Sequence, residues 1–274
     1  MMAAGAIRRA GKGEQMRFKN MSVLITGAAG GFGRLAATRF AAEGARLTLS
    51  DISADGLAEI AEAVRQEGGE VATVVGDVSD EQHARAYVAL AVSSYGRLDI
   101  ALNNAGIGGG IAPIPEITVE NFDRIMAVNT RGVFLGMKYE IPEIAKVGGG
   151  SILNVASAAG VVGAGTVAAY AASKHAVVGL TRAGADECAR FNIRINAICP
   201  SFASTPMVAE MADVVMGQRQ ISRKEAHKRI ARRVPMGRVA EPEEIVQAML
   251  WIVSPENSFM TGQAVSIDGG LTAI

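Results

Sequence analysis

The sequence predicts one α/β domain: a parallel sheet, doubly wound, with helices on both faces. Three observations carry this. Short runs that are apolar throughout alternate with helical patterns from residue 21 to the end, as strands buried on both faces do. A glycine-rich turn, Thr26-Gly27-Ala28-Ala29-Gly30-Gly31-Phe32-Gly33, joins the first run to the first helix. No linker, composition break or internal repeat divides the 274 residues, which suffice for one large core.

The elements follow in order. Val23-Leu24-Ile25 is the first strand, with a helix over 31–43 behind the glycine turn. Leu47-Thr48-Leu49 is the second, followed by a helix over 54–66. Strands over 71–75 and 98–102 bracket a helix over 79–95. Thr118 is placed to accept from free amides at the start of a long helix that runs through Asn129 and Gly136. The fifth strand spans 151–155. Alanine-rich residues 167–190 form the next helix, and strands over 193–198 and 264–267 complete a sheet of about seven. Residues 202–233, between the sixth strand and the last helix, fall where such folds place a substrate lid.

Composition excludes several classes. Lysine plus arginine and aspartate plus glutamate both number 27, so no net field draws the chain to nucleic acid or a membrane. No apolar run approaches the roughly 20 residues of a membrane span. Cys188 and Cys199 are too few for a disulfide framework and read as buried apolar residues in a reducing, cytoplasmic setting. His83, His175 and His227 lie far apart without metal-ligand spacing, so no metal site is expected. Residues 1–15 lack a signal-peptide apolar core and read as a disordered tail, with Met16 as an alternative start.

The glycine turn allows close approach of backbone to a pyrophosphate, and the helix behind it offers free N–H groups and a positive dipole end. Its spacing is G-x-x-x-G-x-G, with Gly27, Gly31 and Gly33 in the key places. Asp51 ends the second strand, 24 residues after Gly27. A carboxylate there accepts hydrogen bonds from ribose hydroxyls and repels a 2′-phosphate. Ala29 and Ile52, the nearby positions for a phosphate-binding cation, are uncharged, so NAD is the expected cofactor. The plainer role for Asp51 is to cap the following helix.

Tyr170 and Lys174 stand four apart, on one helical face. A phenol with a pKa near ~10 is driven toward phenolate by a neighbouring ammonium, which would make Tyr170 an acid/base near neutral pH.

With glycine loop, acid and Tyr–Lys pair in that order, the chain resembles the short-chain dehydrogenase/reductase family, over nearly everything from Lys19 to Leu271. Asp77-Val78 matches the pair that flanks the adenine ring, and Asn103-Asn104-Ala105-Gly106 matches the family signature after the fourth strand. Asn129 matches the catalytic asparagine, and Ser157 lies 13 residues before Tyr170. The resemblance implies a Rossmann domain and a catalytic tetrad of Asn129, Ser157, Tyr170 and Lys174. It implies a dinucleotide held by Gly27, Gly31, Phe32, Gly33, Asp51, Asp77, Val78, Asn104, Ala105, Gly106, Tyr170, Lys174, Pro200 and Thr205. Ser201 departs from the pattern, which has glycine after the proline; the loop is therefore expected to shift modestly.

The implied reaction is hydride transfer between a secondary alcohol or its ketone and the nicotinamide. Tyr170 carries the proton, Lys174 lowers its pKa and holds the nicotinamide ribose, Ser157 donates to the substrate oxygen, and Asn129 orients a water behind Lys174. Ser173 reads as a packing residue and His175 as structural. Met207, Met211 and Met216 in the lid suit an apolar substrate, as do the wall residues from Ile107 to Ile114, from Ala158 to Val162 and Phe202, nearly all small or apolar, so an uncharged cyclic, aryl or steroid-like alcohol is expected. The same methionines serve equally well to pack the lid. Arg219, Arg223, Lys224, Lys228, Arg229, Arg232 and Arg233 read as a solvated face or a subunit contact before an anion-steering patch. The resemblance implies a homotetramer. The alternatives are a 3-oxoacyl-[acyl-carrier-protein] reductase and a non-catalytic dinucleotide-binding protein.

Overall fold

The computed structural model describes residues 16–274; the expectation for residues 1–15 lies outside them. Seven strands form one sheet: β1 Ser22–Thr26, β2 Arg46–Asp51, β3 Val71–Val75, β4 Ile100–Asn103, β5 Gly150–Val155, β6 Ile193–Pro200 and β7 Ala264–Ile267. Their order is β3-β2-β1-β4-β5-β6-β7, and every pairing is parallel. Strand order reverses between β1 and β4. Parallel sheets open a crevice at that switch point, above the carboxyl ends of the strands.

The helices are α1 Gly31–Ala42, α2 Ala54–Gln66, α3 Glu81–Tyr95, α4 Val119–Met126, α5 Gly132–Lys146, α6 Ala168–Cys188, α7 Pro206–Arg219, α8 Arg223–Ile230 and α9 Pro242–Val253. Their starts follow from local chemistry. Ser53, Asp80 and Thr118 each accept from an amide in the first turn behind them. Glu241 and Glu244 form a reciprocal cap on α9.

Two apolar cores flank the sheet, one beneath α1, α2 and α9, the other beneath α3, α5 and α6. Phe40 anchors the first, wholly buried, with its ring centroid 4.7 Å from that of Phe18. Phe40→Ala is expected to destabilise the chain by about 3–5 kcal/mol through the cavity it leaves, read as a lower midpoint in urea unfolding.

The expected long helix through Asn129 and Gly136 is present, but it is not α-helical throughout. After α4 the backbone takes a π-helical turn, Ala127–Arg131, before α5 begins. Such a turn takes in one extra residue and re-aims the side chains within it. Asn129 sits at its centre, fully buried. Periodicity could not reveal this, because apolar residues on either side still fit a helical repeat.

Candidate active site

The carboxyl ends of β1, β4, β5 and β6 gather most of the expected residues around the switch point. Gly27 has φ of 64° and Gly31 of 51°, left-handed angles that glycine adopts without strain. A Cβ built on Gly33 would lie 2.1 Å from Gly27 O and 2.7 Å from Asn104 Nδ2. Helix and glycine loop therefore meet backbone to backbone, with the Asn104 side chain packed against both. Above them the surface is open: a Cβ on Gly30 would meet nothing within 4 Å, and one on Gly31 only Thr205 Cγ2 at 4.0 Å. No side chain among the described residues caps α1. An open cradle over uncapped amides suits the phosphates of a dinucleotide, and Thr205 stands at its rim.

Asp51 shapes that cradle. Its Oδ2 accepts from Ala29 N at 2.9 Å and its Oδ1 from Ser53 N at 2.9 Å. Ser53, not Asp51, caps α2. Thr26 was missed as a site residue. Its Oγ1 accepts from Asn104 N at 3.1 Å and Ala105 N at 3.2 Å, while Asn104 Nδ2 reaches Thr26 O and Gly27 O, each at 3.0 Å. The available signal was a threonine ending an otherwise apolar strand. Asp77 is exposed and accepts from Ser79 N at 2.8 Å. Val78 is buried, and a Cβ on Gly132 would meet its Cγ2 at 2.9 Å. Phe32 packs partly buried against the first core.

The four tetrad side chains come together. Tyr170 and Lys174 share one face of α6, with Nζ 5.7 Å from the phenol ring centroid. Lys174 is buried and donates to Val155 O at 2.8 Å. A Cβ on Gly106 would lie 3.3 Å from Lys174 Nζ and 3.2 Å from Asn129 Oδ1. Asn129 donates to Ile107 O and Ser173 Oγ, both at 3.0 Å, and accepts from Ile107 N at 2.8 Å. Both its amide protons are engaged, which leaves one Oδ1 lone pair for a water beside Lys174. Ser173 is more than packing: it is buried, and its Oγ donates to Tyr170 O at 2.7 Å. It thus ties the π turn to α6.

The electrostatics differ from the sequence argument in one respect. Burial raises the Tyr170 phenol above its ordinary pKa, opposed by a hydrogen bond with Ser157. Lys174 is itself pushed down to about 8 by burial. Desolvation of two neighbouring groups thus outweighs the depression expected from pairing them.

Ser201 sits without left-handed backbone. Its Oγ donates to Asp268 O at 3.1 Å, so serine fits where glycine was expected. Pro200 O lies 3.5 Å from Ser157 Oγ. Met207 of α7 reaches over the loop after β4: a Cβ on Gly108 would meet its Cγ at 3.6 Å. A recess beside Tyr170 is lined by Ala112, Ile117, Asn121, Ile125 and Val167. The basic run is exposed along α8 and the turn after it, with Arg223 paired to Asp213 at 2.6 Å. Cys188 and Cys199 are buried and free. His83 is buried against Ser50 Oγ at 2.8 Å, and His175 lies at the surface. Among the described residues no group of three or more histidine, cysteine or acidic side chains could hold a metal ion, and no helix could cross a membrane.

A parallel sheet with an open glycine cradle and a Tyr–Lys–Ser–Asn cluster at its switch point defines a dinucleotide-dependent oxidoreductase fold. A family model described as enoyl-(acyl carrier protein) reductase matches residues 27–272. The chain belongs to this family, within the short-chain dehydrogenases/reductases. It is 41% identical to levodione reductase of Leifsonia aquatica over 259 residues, covering 94% of this chain and 96% of that one. It is 35% identical to cyclohexanol dehydrogenase of Acinetobacter sp. strain SE19 over 257 residues, covering 94% and 97%. The crystal structure of levodione reductase superposes with a TM-score of 0.88 at 40% identity, covering 93% of this chain and 99% of that one. A variant of actinorhodin polyketide ketoreductase with NADPH superposes at 0.87 and 34% identity, covering 93% and 98%.

Proposed function

We propose that the chain is an NAD-dependent oxidoreductase that interconverts a hydrophobic cyclic or aryl secondary alcohol and its ketone. The observation that carries this is the convergence of Tyr170, Lys174, Ser157 and Asn129 beside the open glycine cradle. A nicotinamide dinucleotide, when bound, supplies the hydride acceptor or donor. Gly27, Gly31, Phe32 and Gly33 would receive its phosphates, Asp51 its adenosine ribose, Asp77 and Val78 its adenine. Asn104, Ala105, Gly106, Lys174, Pro200 and Thr205 would line its nicotinamide half.

The chain's own groups manage the proton and the developing charge. Tyr170 Oη takes the hydroxyl proton of the alcohol in oxidation and returns it in reduction. Ser157 Oγ donates to the substrate oxygen, where charge develops. Lys174, when protonated, favours the phenolate. Asn129, through its free Oδ1 lone pair, holds a water that carries the proton outward from Lys174. Residues 202–233 act as the lid, with Met207 facing the substrate. Relatives named for a cyclic dione and for cyclohexanol support the substrate class. A tetrameric, cytoplasmic enzyme is the form proposed.

Asp51 supports NAD, since its carboxylate faces the glycine loop through Ala29 N. The NADPH-bound neighbour and the carrier-protein name of the family favour a second reading, a 3-oxoacyl-type reductase. Fluorescence titration with both reduced cofactors separates the two. NADH is expected to bind at least about 10-fold more tightly, as repulsion of a 2′-phosphate of roughly 1.4 kcal/mol requires. Tighter NADPH binding overturns the NAD assignment. A panel of cyclic, aryl and steroidal alcohols, read by NADH absorbance, then tests the substrate class.

A further inference from the structure

Beneath this site, in the core under α3, α5 and α6, lies a polar layer that the proposed chemistry does not use. Glu140 of α5 is fully buried, and no cation is among the groups that perturb it. Its Oε2 accepts from Asn103 Nδ2 at 3.0 Å, and that nitrogen also donates to Asn154 Oδ1 at 3.0 Å. Asn154 Nδ2 continues to Thr181 Oγ1 at 2.9 Å. Glu140 Oε1 and the Tyr87 hydroxyl are buried with no hydrogen-bond partner among the described residues. A Cβ on Gly136 would lie 3.0 Å from that Oε1, 3.1 Å from Tyr87 Oη and 2.4 Å from Asn103 Oδ1. Glycine at 136 is what makes room for three polar groups from three elements.

The layer grips two strands one residue before each delivers a functional group. Asn103 precedes Asn104, which holds the glycine loop. Asn154 precedes Val155, whose carbonyl anchors Lys174, and Ser157 follows shortly after.

A buried carboxylate with one neutral amide donor is costly when ionised, and burial pushes Glu140 up to about 8. The facing groups do not offset this. Tyr87 of α3 has its phenol raised by burial, and His83 behind it, ring centroids 5.4 Å apart, is lowered by burial toward the neutral form. Asn103, Asn154 and Thr181 are uncharged.

We propose that Glu140 is a positioning residue that works un-ionised, bridging α5 to the ends of β4 and β5 through Asn103 and Asn154. Its ionisation at alkaline pH loosens residues 104–106 and 155–157. The consequence for cofactor affinity rests on the functional reading above; the consequence for the strands does not. The sign is fixed by linkage. The folded chain holds this proton more tightly than the unfolded one, so the stabilisation is complete below the ordinary carboxylate range. It is lost as pH rises to about 8.

Glu140→Gln supplies an acceptor and a donor without an ionisable group, and Glu140→Leu removes both. Infrared spectra should show a protonated carboxyl band at neutral pH that disappears in alkali and is missing from Glu140→Gln. Hydrogen exchange at 104–106 and 155–157 should be alike in wild type and Glu140→Gln at about pH 4, where the carboxyl stays largely protonated in folded and opened chain alike. Near pH 9 it should be roughly 10-fold faster in wild type. Glu140→Leu should exchange faster than Glu140→Gln at both. NADH affinity should follow the same pattern. An absent neutral-pH band, or parallel exchange in wild type and Glu140→Gln throughout, overturns the proposal. If Glu140→Leu does not fold, the Glu140→Gln comparison decides. If no dinucleotide binds any variant, the functional reading fails while the infrared and exchange results still judge Glu140.

Discussion

Tyr170→Phe should leave a folded protein that binds dinucleotide with near wild-type affinity and turns over at least about 10²-fold more slowly. The substitution removes one oxygen, and with it the group proposed to carry the proton. Structural loss should be small, because the phenol's hydrogen bond is to Ser157, itself still held by Ala159 N at 3.2 Å. The pH profile adds a second readout. Burial holds the phenol protonated above its ordinary range, so oxidation in wild type should accelerate as pH rises and the phenolate forms. The residual activity of the variant should lack that rise. Steady-state kinetics with cofactor affinity measured in parallel provide the check. Near-full turnover in the variant would remove Tyr170 from the chemistry and assign the proton transfer to another group.

Gly33→Ala should abolish dinucleotide binding or cost more than the roughly 1–3 kcal/mol typical of overpacking. The new methyl carbon would sit 2.1 Å from Gly27 O and 2.9 Å from Gly27 C, backbone atoms that no rotamer change can move aside. Either α1 moves away from β1 or the loop opens, and both misplace the amides at the cradle. Gly30→Ala is the matched control, since its methyl would enter open space. Fluorescence titration with NADH and NADPH, beside thermal melts of both variants, distinguishes lost binding from lost folding. Equal binding by the Gly33 and Gly30 variants would show that close approach at this loop is unimportant.

Much of this was legible before any coordinates. Strands buried on both faces leave continuous apolar runs, so all seven could be placed to within a residue or two. β4 begins at Ile100 and not at Leu98, because Asp99 is occupied holding Ser22 N at 2.8 Å and its neighbour Arg97. The four side chains that come together, Asn129, Ser157, Tyr170 and Lys174, could be picked out because the family resemblance fixes their places around recognisable turns. Three things lay beyond the sequence. The π turn has no periodic signature. The balance of burial against pairing at Tyr170 and Lys174 depends on how deeply the pair is set, which spacing does not encode. The Glu140 layer reads in sequence as a stray acid in an apolar helix, and its partners come from α3, β4, β5 and α6. Ser173 shows the same limit on a smaller scale: its angle on the helix suggested packing, yet that angle aims its hydroxyl at Asn129.

Asp51 bears on how such a protein could be re-engineered. The carboxylate expected to choose between cofactors also fastens Ala29 and Ser53. A single exchange for a neutral or basic side chain would therefore release the glycine loop while it admits a phosphate. The proposed selectivity and the observed hold on the loop would thus share one side chain. A cofactor swap in this chain calls for paired substitutions, one to greet the new group and one to restrain Ala29. The same coupling narrows the paths by which cofactor choice can drift.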